Sequence, residues 1–439
     1  MLMPLLSEAD PRISAEGSID PLGIYSIADA LAVRMIPGVR ERQQHPRFLT
    51  SIAVSLSLCS ELPGEIIATD GISEPWQVFE WYLVEGLVRR TGDRKLLRGL
   101  PGQEKATTSI KDRVPLSAKR YLKTPTVFGF HGVYRALARD IEIERADRLG
   151  EAGFALVKTW EKEQGLEDFC GSGNGVGNSV RRQLLGAIQD GLEAGCVSRK
   201  GAWDGWGFFS DYLGIYETGK QEARLIIQGL LNPLSGHRKD VLGHLISAEG
   251  RQLWAEEVSQ GWPSERRFHK ALLNVANVDL KALLLAIDGY EKFCRLLQDA
   301  FDDVLLKLSQ HQKRTKPSEL VGLKGVKRAV KGIPDIFIEV AELLAPFGEV
   351  VRFQESYSSL SERTTVLDWV ERLMEHHFRV QQSKPPSGKA PWFDRFDDGS
   401  YMIRTGYIRD RGGMHDDSYV HAYRTMSLWS FAKDLGLVK

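Results

Sequence analysis

Cysteine is scarce in this sequence, and the four residues present are far apart: Cys59, Cys170, Cys196 and Cys294. A disulfide framework or a zinc knuckle needs clustered cysteines, usually as C-x-x-C pairs, and no such pair occurs. We therefore predict that the protein works in a reducing compartment and that it has no metal site.

Long hydrophobic runs are also missing. No apolar stretch approaches the roughly 18 residues that a membrane-spanning helix needs. The opening residues MLMPLLSEADPR contain no basic region before the acids begin, so they do not resemble a secretory signal. We expect a cytoplasmic protein that does not contact a membrane.

No complete catalytic motif is present. The sequence has no H-E-x-x-H or G-x-S-x-G, and residues 387–390 (SGKA) lack the first glycine and the Ser/Thr of a P-loop. Pro334-Asp335 with Glu339 is similar to the start of a restriction-type nuclease core, but the lysine that this core needs is missing. These absences remove the easily recognised enzyme classes but do not exclude an enzyme, because a site can be assembled from scattered residues. The sequence leaves the cofactor unknown.

The net charge is zero, with 58 basic and 58 acidic residues, but the charges are unevenly distributed. Residues 89–123, the first basic segment, hold eleven Lys/Arg and three Asp/Glu. Residues 307–331, the second basic segment, hold eight Lys/Arg and one Asp/Glu. Such segments on an otherwise acidic chain are typical of phosphate binding, although many are only solvated connectors. The predicted DNA contacts are Arg89, Arg90, Arg94, Lys95, Lys119, Arg120, Lys324, Lys327 and Arg328.

Apolar residues recur at helical spacing along most of the chain, which predicts a mainly α protein. A helix is predicted over 366–381, whereas the spacing over 333–344 suits both a strand and a helix. The strongest signal predicts one helix over about residues 280–310, which packs its seam against a helix of the same chain or of a partner. Its outer face is expected to be acidic, through Glu291, Asp299, Asp302 and Asp303. The seam consists of Leu283, Ile287, Tyr290, Cys294, Leu297, Phe301, Val304 and Leu308.

The helical segments predict a multi-domain protein. Short helices are predicted over 114–122 and 130–138, and a third helix over 149–160. Flanked by basic residues, they are compatible with a winged-helix or helix-turn-helix module. The glycine-rich stretch that follows fits no phosphate-binding register and is predicted to be a hinge. The predicted regions are an N-terminal helical bundle (1–112), the winged-helix-like module (113–170), the hinge (171–179), a helical domain with the long helix (180–332) and a small α+β part (333–439).

The C-terminal region holds the one polar constellation in which chemistry is conceivable. Histidines near carboxylates are typical of general bases, and a Gln–Lys face next to aromatic residues is typical of phosphate contact. The alternative is a buried structural histidine beside a solvated basic loop. The candidates are His377, His415, Asp416 and His421 for catalysis, and Gln381, Lys384 and Lys389 for phosphate contact.

Three stretches resemble a bacterial anti-phage defence-island protein family, whose members are associated with restriction-type gene islands. They are Asp20–Gly23 with Pro37-Gly38 and the basic turn to Arg47, then Phe130–Ala138, then His376–Gln381 with Lys384, Gly388, Lys389 and Trp392. Because they lie at the beginning, middle and end, the resemblance covers most of the chain. It implies a role in defence against foreign DNA and partner proteins from the same gene cluster, and it supplies no catalytic residues.

The leading hypothesis is a component of a multi-subunit antiviral system that contacts DNA through the two basic segments. One alternative is a nuclease or nucleotide-processing effector that uses the C-terminal histidines and Asp416. The other is a regulatory interaction protein that never contacts nucleic acid.

Overall fold

The computed structural model describes residues 20–64, 66–234, 236–259, 265–311, 313–385 and 387–438. The opening segment, for which no secretory signal is predicted, lies outside these ranges. The described residues form eighteen α-helices and two small antiparallel sheets of two strands each. This confirms the predicted mainly α fold class with small strands in the C-terminal part. None of the described helices combines the length and the apolar content that a bilayer-spanning segment requires.

Packing divides the chain into two compact units, and each unit combines separate stretches of sequence. Unit 1 comprises the described residues of Met1–Ala32 and Leu253–Tyr423, and unit 2 comprises those of Val33–Gln252 and Arg424–Lys439. The five regions predicted from the sequence follow each other along the chain, and they stay a prediction.

Unit 2 consists of helices and one small β-hairpin. Its elements are α2 (Arg47–Cys59), α3 (Pro75–Arg90), α4 (Gln103–Asp112), α5 (Pro125–Phe128), α6 (Phe130–Asp140), β1 (Glu144–Arg145), β2 (Arg148–Leu149), α7 (Glu151–Glu163), α8 (Val176–Ala194), α9 (Trp206–Leu213), α10 (Lys220–Leu230), α11 (Arg238–Ile246) and α18 (Thr425–Asp434). The unit is built around α2, whose residues are almost all buried. Next to it, α3 packs against α4, α8 and α9. Gly86 of α3 permits the close approach of α9, because a Cβ atom there would lie 2.5 Å from Phe209.

The first part of the region 113–170 has a different structure from the one predicted. The helix expected over residues 114–122 is wrong, because this stretch is irregular. Leu116 accepts a backbone hydrogen bond from Val197, and Ser117 forms a β-bridge with Cys196. The helices expected over 130–138 and 149–160 are present as α6 and α7, with the hairpin β1–β2 between them. These elements do not confirm a winged-helix module.

Unit 1 is dominated by the long helix that the sequence predicts. Two helices, α1 (Tyr25–Met35) and α12 (Ala248–Ser259), each contribute residues to both units. The other elements of unit 1 are α13 (Arg266–Val275), α14 (Val278–His311), α15 (Lys324–Leu344), α16 (Val350–Ser361), α17 (Val366–Gln382), β3 (Phe393–Arg395) and β4 (Tyr401–Ile403).

The seam of α14 is fully buried, and α14 packs mainly against α15 of the same chain. The helices approach closely at Gly325, where a Cβ atom would lie 2.6 Å from the carbonyl oxygen of Asp299. The predicted acidic outer face is wrong. Glu291, Asp299 and Asp303 are buried, because their carboxylates accept hydrogen bonds from backbone N–H groups of residues 413–421.

Candidate functional site

An open cleft of about 480 Å³ lies in unit 2 at the last turn of α3. Its walls come from the end of α3, one face of α4 and the loop that leads into α9. Two arginines and a tryptophan dominate the polar and aromatic surface. The lining residues are Val88, Arg89, Arg90, Thr107, Ile110, Gly201, Ala202, Asp204 and Trp206.

Arg89 is held in place on two sides. Its Nε and Nη2 atoms donate to Glu85 Oε1 at 2.9 and 2.6 Å, and its guanidinium carbon lies 5.1 Å from the Trp206 ring centroid, a cation–π arrangement. Nη1 lies beside Gly201, where a Cβ atom would be only 3.1 Å away. The geometry therefore presents one edge of the guanidinium to the cleft.

Arg90 is exposed and lies near the start of α9, with Nη2 3.7 Å from the Cβ position of Gly207. Adjacent arginines that flank a glycine-containing loop provide planar donors suited to phosphate oxygens. Of the described residues that line the cleft, Asp204 is the one acid. Glu85 pairs with Arg89, so these two acids balance the charge of the two arginines.

Aromatic side chains form the floor beside these arginines. Trp203 and Trp206 pack edge to face at a centroid distance of 5.2 Å, and Tyr82 lies 5.7 Å from Trp206. Trp203 is half-buried and also lines a smaller adjoining pocket of about 220 Å³. Gly205 is required here, because a Cβ atom would lie 2.1 Å from the Trp203 ring.

The first basic segment holds ten basic residues besides Arg89. All ten are exposed, and none forms an ion pair with an acid in the part of the chain that the structure describes. Of these, Arg94, Lys95, Lys119 and Arg120 are predicted DNA contacts. The full set is Arg90, Arg94, Lys95, Arg98, Lys105, Lys111, Arg113, Lys119, Arg120 and Lys123.

The second basic segment belongs to unit 1, and its predicted DNA contacts differ in exposure and pairing. Lys324 and Lys327 are exposed on the first turn of α15. Arg328 instead donates to the buried Asp299 at 3.2 Å. The geometry therefore gives Arg328 a structural role, and only the two lysines remain as surface cations among the predicted contacts there.

His377 has a structural environment in unit 1. Its Nδ1 lies 2.9 Å from the Pro21 carbonyl oxygen, and its Nε2 accepts from the Trp392 backbone N–H at 3.0 Å. Burial lowers the pKa of the His377 imidazole to about 4. A neutral ring with both nitrogens used by the backbone does not support a role as general base.

Of the predicted face His377–Gln381–Lys384, His377 and Gln381 lie on α17, whereas Lys384 follows its end. Most of this face points inward. Gln381 is buried, and its Oε1 accepts from Lys384 Nζ at 3.2 Å. Burial lowers the pKa of Lys384, which is half-buried. Lys389 alone is exposed. The phosphate-contact prediction therefore has geometric support only at Lys389.

The other C-terminal candidates lie along α14 and do not share a site. His421 contacts Glu291 at 2.7 Å, and His415 contacts Asp303 at 3.2 Å. Positions twelve residues apart on a helix are separated by about 18 Å. Asp416 closes a turn by accepting from the backbone N–H and hydroxyl of Ser418. No hydrolytic constellation results from these residues.

Sequence reasoning missed Glu85, Gly201, Trp203 and Trp206. A signal was present in the segment Trp203-Asp204-Gly205-Trp206, where two tryptophans flank a glycine shortly after Arg199-Lys200. Its proximity to Arg89 depends on the packing of α9 against α3, which no local pattern reveals.

Function is inferred from this geometry. Comparison of the chain with protein-family models, with curated proteins and with solved structures finds no match.

Proposed function

We propose that this protein is the DNA-contacting component of a bacterial antiviral defence system, and that the first basic segment with the Arg89–Arg90 cleft is its DNA interface. The observation that carries the proposal is the set of ten exposed basic side chains that have no acidic partner among the described residues. Lysines and arginines that are not neutralised within the protein are available to phosphates.

The charge distribution favours a polyanion over a small anion. A single phosphate is bound by two or three donors, whereas here the cations extend from α3 through the 3₁₀ turn at Arg94–Leu97 and α4 to Lys123. Such a surface releases counterions from a DNA backbone on binding, and its affinity falls as salt rises. The contacts are to phosphate, so binding is expected to be weakly dependent on base sequence.

The antiviral context rests on the resemblance of the N-terminal, middle and C-terminal stretches to the anti-phage defence-island family. The same resemblance supports partner proteins from the neighbouring genes. Lys324 and Lys327 of unit 1 are proposed as additional phosphate contacts.

The central test measures binding of a labelled double-stranded DNA by fluorescence anisotropy across a salt series. The variant carries Arg90→Glu, Lys95→Glu, Lys119→Glu and Arg120→Glu, all at exposed positions outside the core. We expect its affinity near 100 mM salt to fall by at least about 100-fold and its log–log salt slope to become shallower by up to about 3.6.

The control reverses four exposed charges elsewhere in unit 2: Lys162→Glu, Lys220→Glu, Arg224→Glu and Lys239→Glu. Both variants change the net charge equally, so a loss confined to the first variant assigns binding to the first basic segment. Equal affinities for both variants would contradict the interface. Phage plating on cells that carry the gene with its neighbours tests the defence role separately.

A further inference from the structure

A cluster of metal-ligand side chains lies buried in unit 1, away from the basic cleft. Glu291 and Cys294 lie three residues apart on α14, and His421 comes from the segment that follows the C-terminal strands. One ligand atom of each residue lies within 4.8 Å of the others. Glu291 and Cys294 are fully buried, and the His421 side chain is 8% exposed.

These distances suit a bound cation. Ligand atoms around a tetrahedral Zn²⁺ are about 3.3–3.8 Å apart, given metal–ligand lengths near 2.0–2.3 Å. His421 Nδ1 and Glu291 Oε1 are now 2.7 Å apart across a shared hydrogen bond. Replacement of that proton by a metal would need these two atoms to move apart by at least about 0.6 Å, and atoms of the cluster that are more than about 3.8 Å apart would have to move closer.

The donor set selects the metal. One thiolate, one imidazole and one carboxylate are ligands of Zn²⁺ and related transition metals, whereas Ca²⁺ and Mg²⁺ require oxygen ligands throughout. Two anionic ligands also neutralise a divalent cation, so the loaded site would add no net charge to the interior. The Tyr423 hydroxyl donates to Glu291 Oε1 at 2.7 Å. It therefore places a further oxygen atom beside this carboxylate.

The chain around Glu291 also holds its carboxylate in place. Glu291 accepts hydrogen bonds from the backbone N–H groups of Val420 and His421. These bonds orient the carboxylate in the way that outer-shell hydrogen bonds orient metal ligands.

We propose that Glu291, Cys294 and His421 form a structural site for Zn²⁺ or a similar transition metal, which fastens the segment around His421 to α14. The scattered cysteines predict no metal site. The tertiary structure, however, brings Glu291 and Cys294 of α14 close to a histidine that is distant in sequence. Because the cluster is buried, the metal would stabilise this packing and would not meet a substrate.

The test loads the full-length protein with Co²⁺ or Zn²⁺, removes free metal on a desalting column and measures bound metal by mass spectrometry. We expect one metal per chain and, with Co²⁺, a thiolate-to-metal charge-transfer band. Cys294→Ser should abolish both, whereas Cys196→Ser, which alters a half-buried cysteine of unit 2, should retain both. Circular dichroism checks that each variant is folded.

If Cys294→Ser does not fold, the wild-type protein still decides the question. Maleimide labelling in mild denaturant should be slowed by Co²⁺ at Cys294 and not at Cys59, as seen by peptide mapping. Absence of retained metal in the wild type would overturn the proposal. A charge-transfer band that persists in folded Cys294→Ser, or a Co²⁺ effect that spares Cys294, would do so as well.

Discussion

Glu85 Oε1 accepts two hydrogen bonds from the Arg89 guanidinium, at 2.9 Å from Nε and 2.6 Å from Nη2. Glu85 is buried, and burial raises the pKa of its carboxyl although Arg89 opposes the rise. A guanidinium fixed in this way loses little side-chain entropy when its remaining edge meets a ligand. Under the proposed function, the pair would make Arg89 a preformed phosphate contact whose charge Glu85 partly offsets.

Substitution of Gly201 tests this contact without changing any charge. Gly201→Val places carbon in front of Arg89 Nη1, and we expect DNA affinity to fall about tenfold through loss of one charge-assisted hydrogen bond. In the salt series, the slope of log affinity against log salt should change little, because the contacts to the other phosphates remain. Gly92→Val is the matched control, because a Cβ atom there meets nothing within 4 Å. Equal affinities for the two variants would argue against ligand binding at Arg89.

Glu80 gives unit 2 a defined pH dependence. Burial raises the pKa of its carboxyl from 4.5 to about 7, although Tyr121 and the backbone N–H of His131 donate to it. Between these values the folded state binds more protons than the unfolded state, so this group's contribution to stability falls as pH rises from about 4.5 to 7. The loss is roughly 3 kcal/mol.

Glu80→Gln should remove this loss, because a neutral amide can accept from His131 and donate to the Tyr121 hydroxyl. We expect the variant to gain stability over the wild type as pH increases from 4.5 to 8, measured by urea unfolding at each pH. The other titrating groups occur in both proteins, so their contributions cancel in the difference between the two free energies of unfolding. Parallel stability profiles would show that Glu80 titrates normally.

His377→Ala separates a structural role from catalysis. The substitution leaves a cavity and removes the partners of the Pro21 carbonyl oxygen and the Trp392 N–H, so we expect a loss of roughly 3–5 kcal/mol in the free energy of unfolding. DNA affinity of the folded variant should be unchanged. Glu371→Ala, at an exposed position of α17, should alter neither quantity. Full stability of His377→Ala with loss of phage protection would instead favour the enzyme hypothesis.

Leu297→Ala tests whether the α14 seam serves the fold of this chain or a partner. Leu297 is fully buried, and α14 packs mainly against α15. We expect a destabilisation of about 2–5 kcal/mol and no change of mass by light scattering. Leu285→Ala on the same helix is the control, because Leu285 is 48% exposed. A change of oligomeric state without loss of stability would contradict intramolecular packing.

Helix positions were largely predictable, because helical periodicity is a local property of the sequence. The seam predicts a helix over about 280–310, and α14 covers Val278–His311; the pattern at 366–381 predicts α17, which covers Val366–Gln382. The stretch 333–344 has spacing that suits both a strand and a helix, and packing against α14 makes it part of α15. The concentration of positive charge in two segments was likewise readable from the sequence.

The sequence by itself determined the helical fold class, the long seam and the two basic segments, because each depends on residues close together in the chain. Tertiary structure alone decided which acids are buried and which cations are neutralised. Asp299 is buried because N–H groups of residues 414 and 415 reach it, and it then neutralises Arg328, whereas Arg90 is left exposed beside the loop before α9. Those partners are distant in sequence, so only the folded chain brings them together.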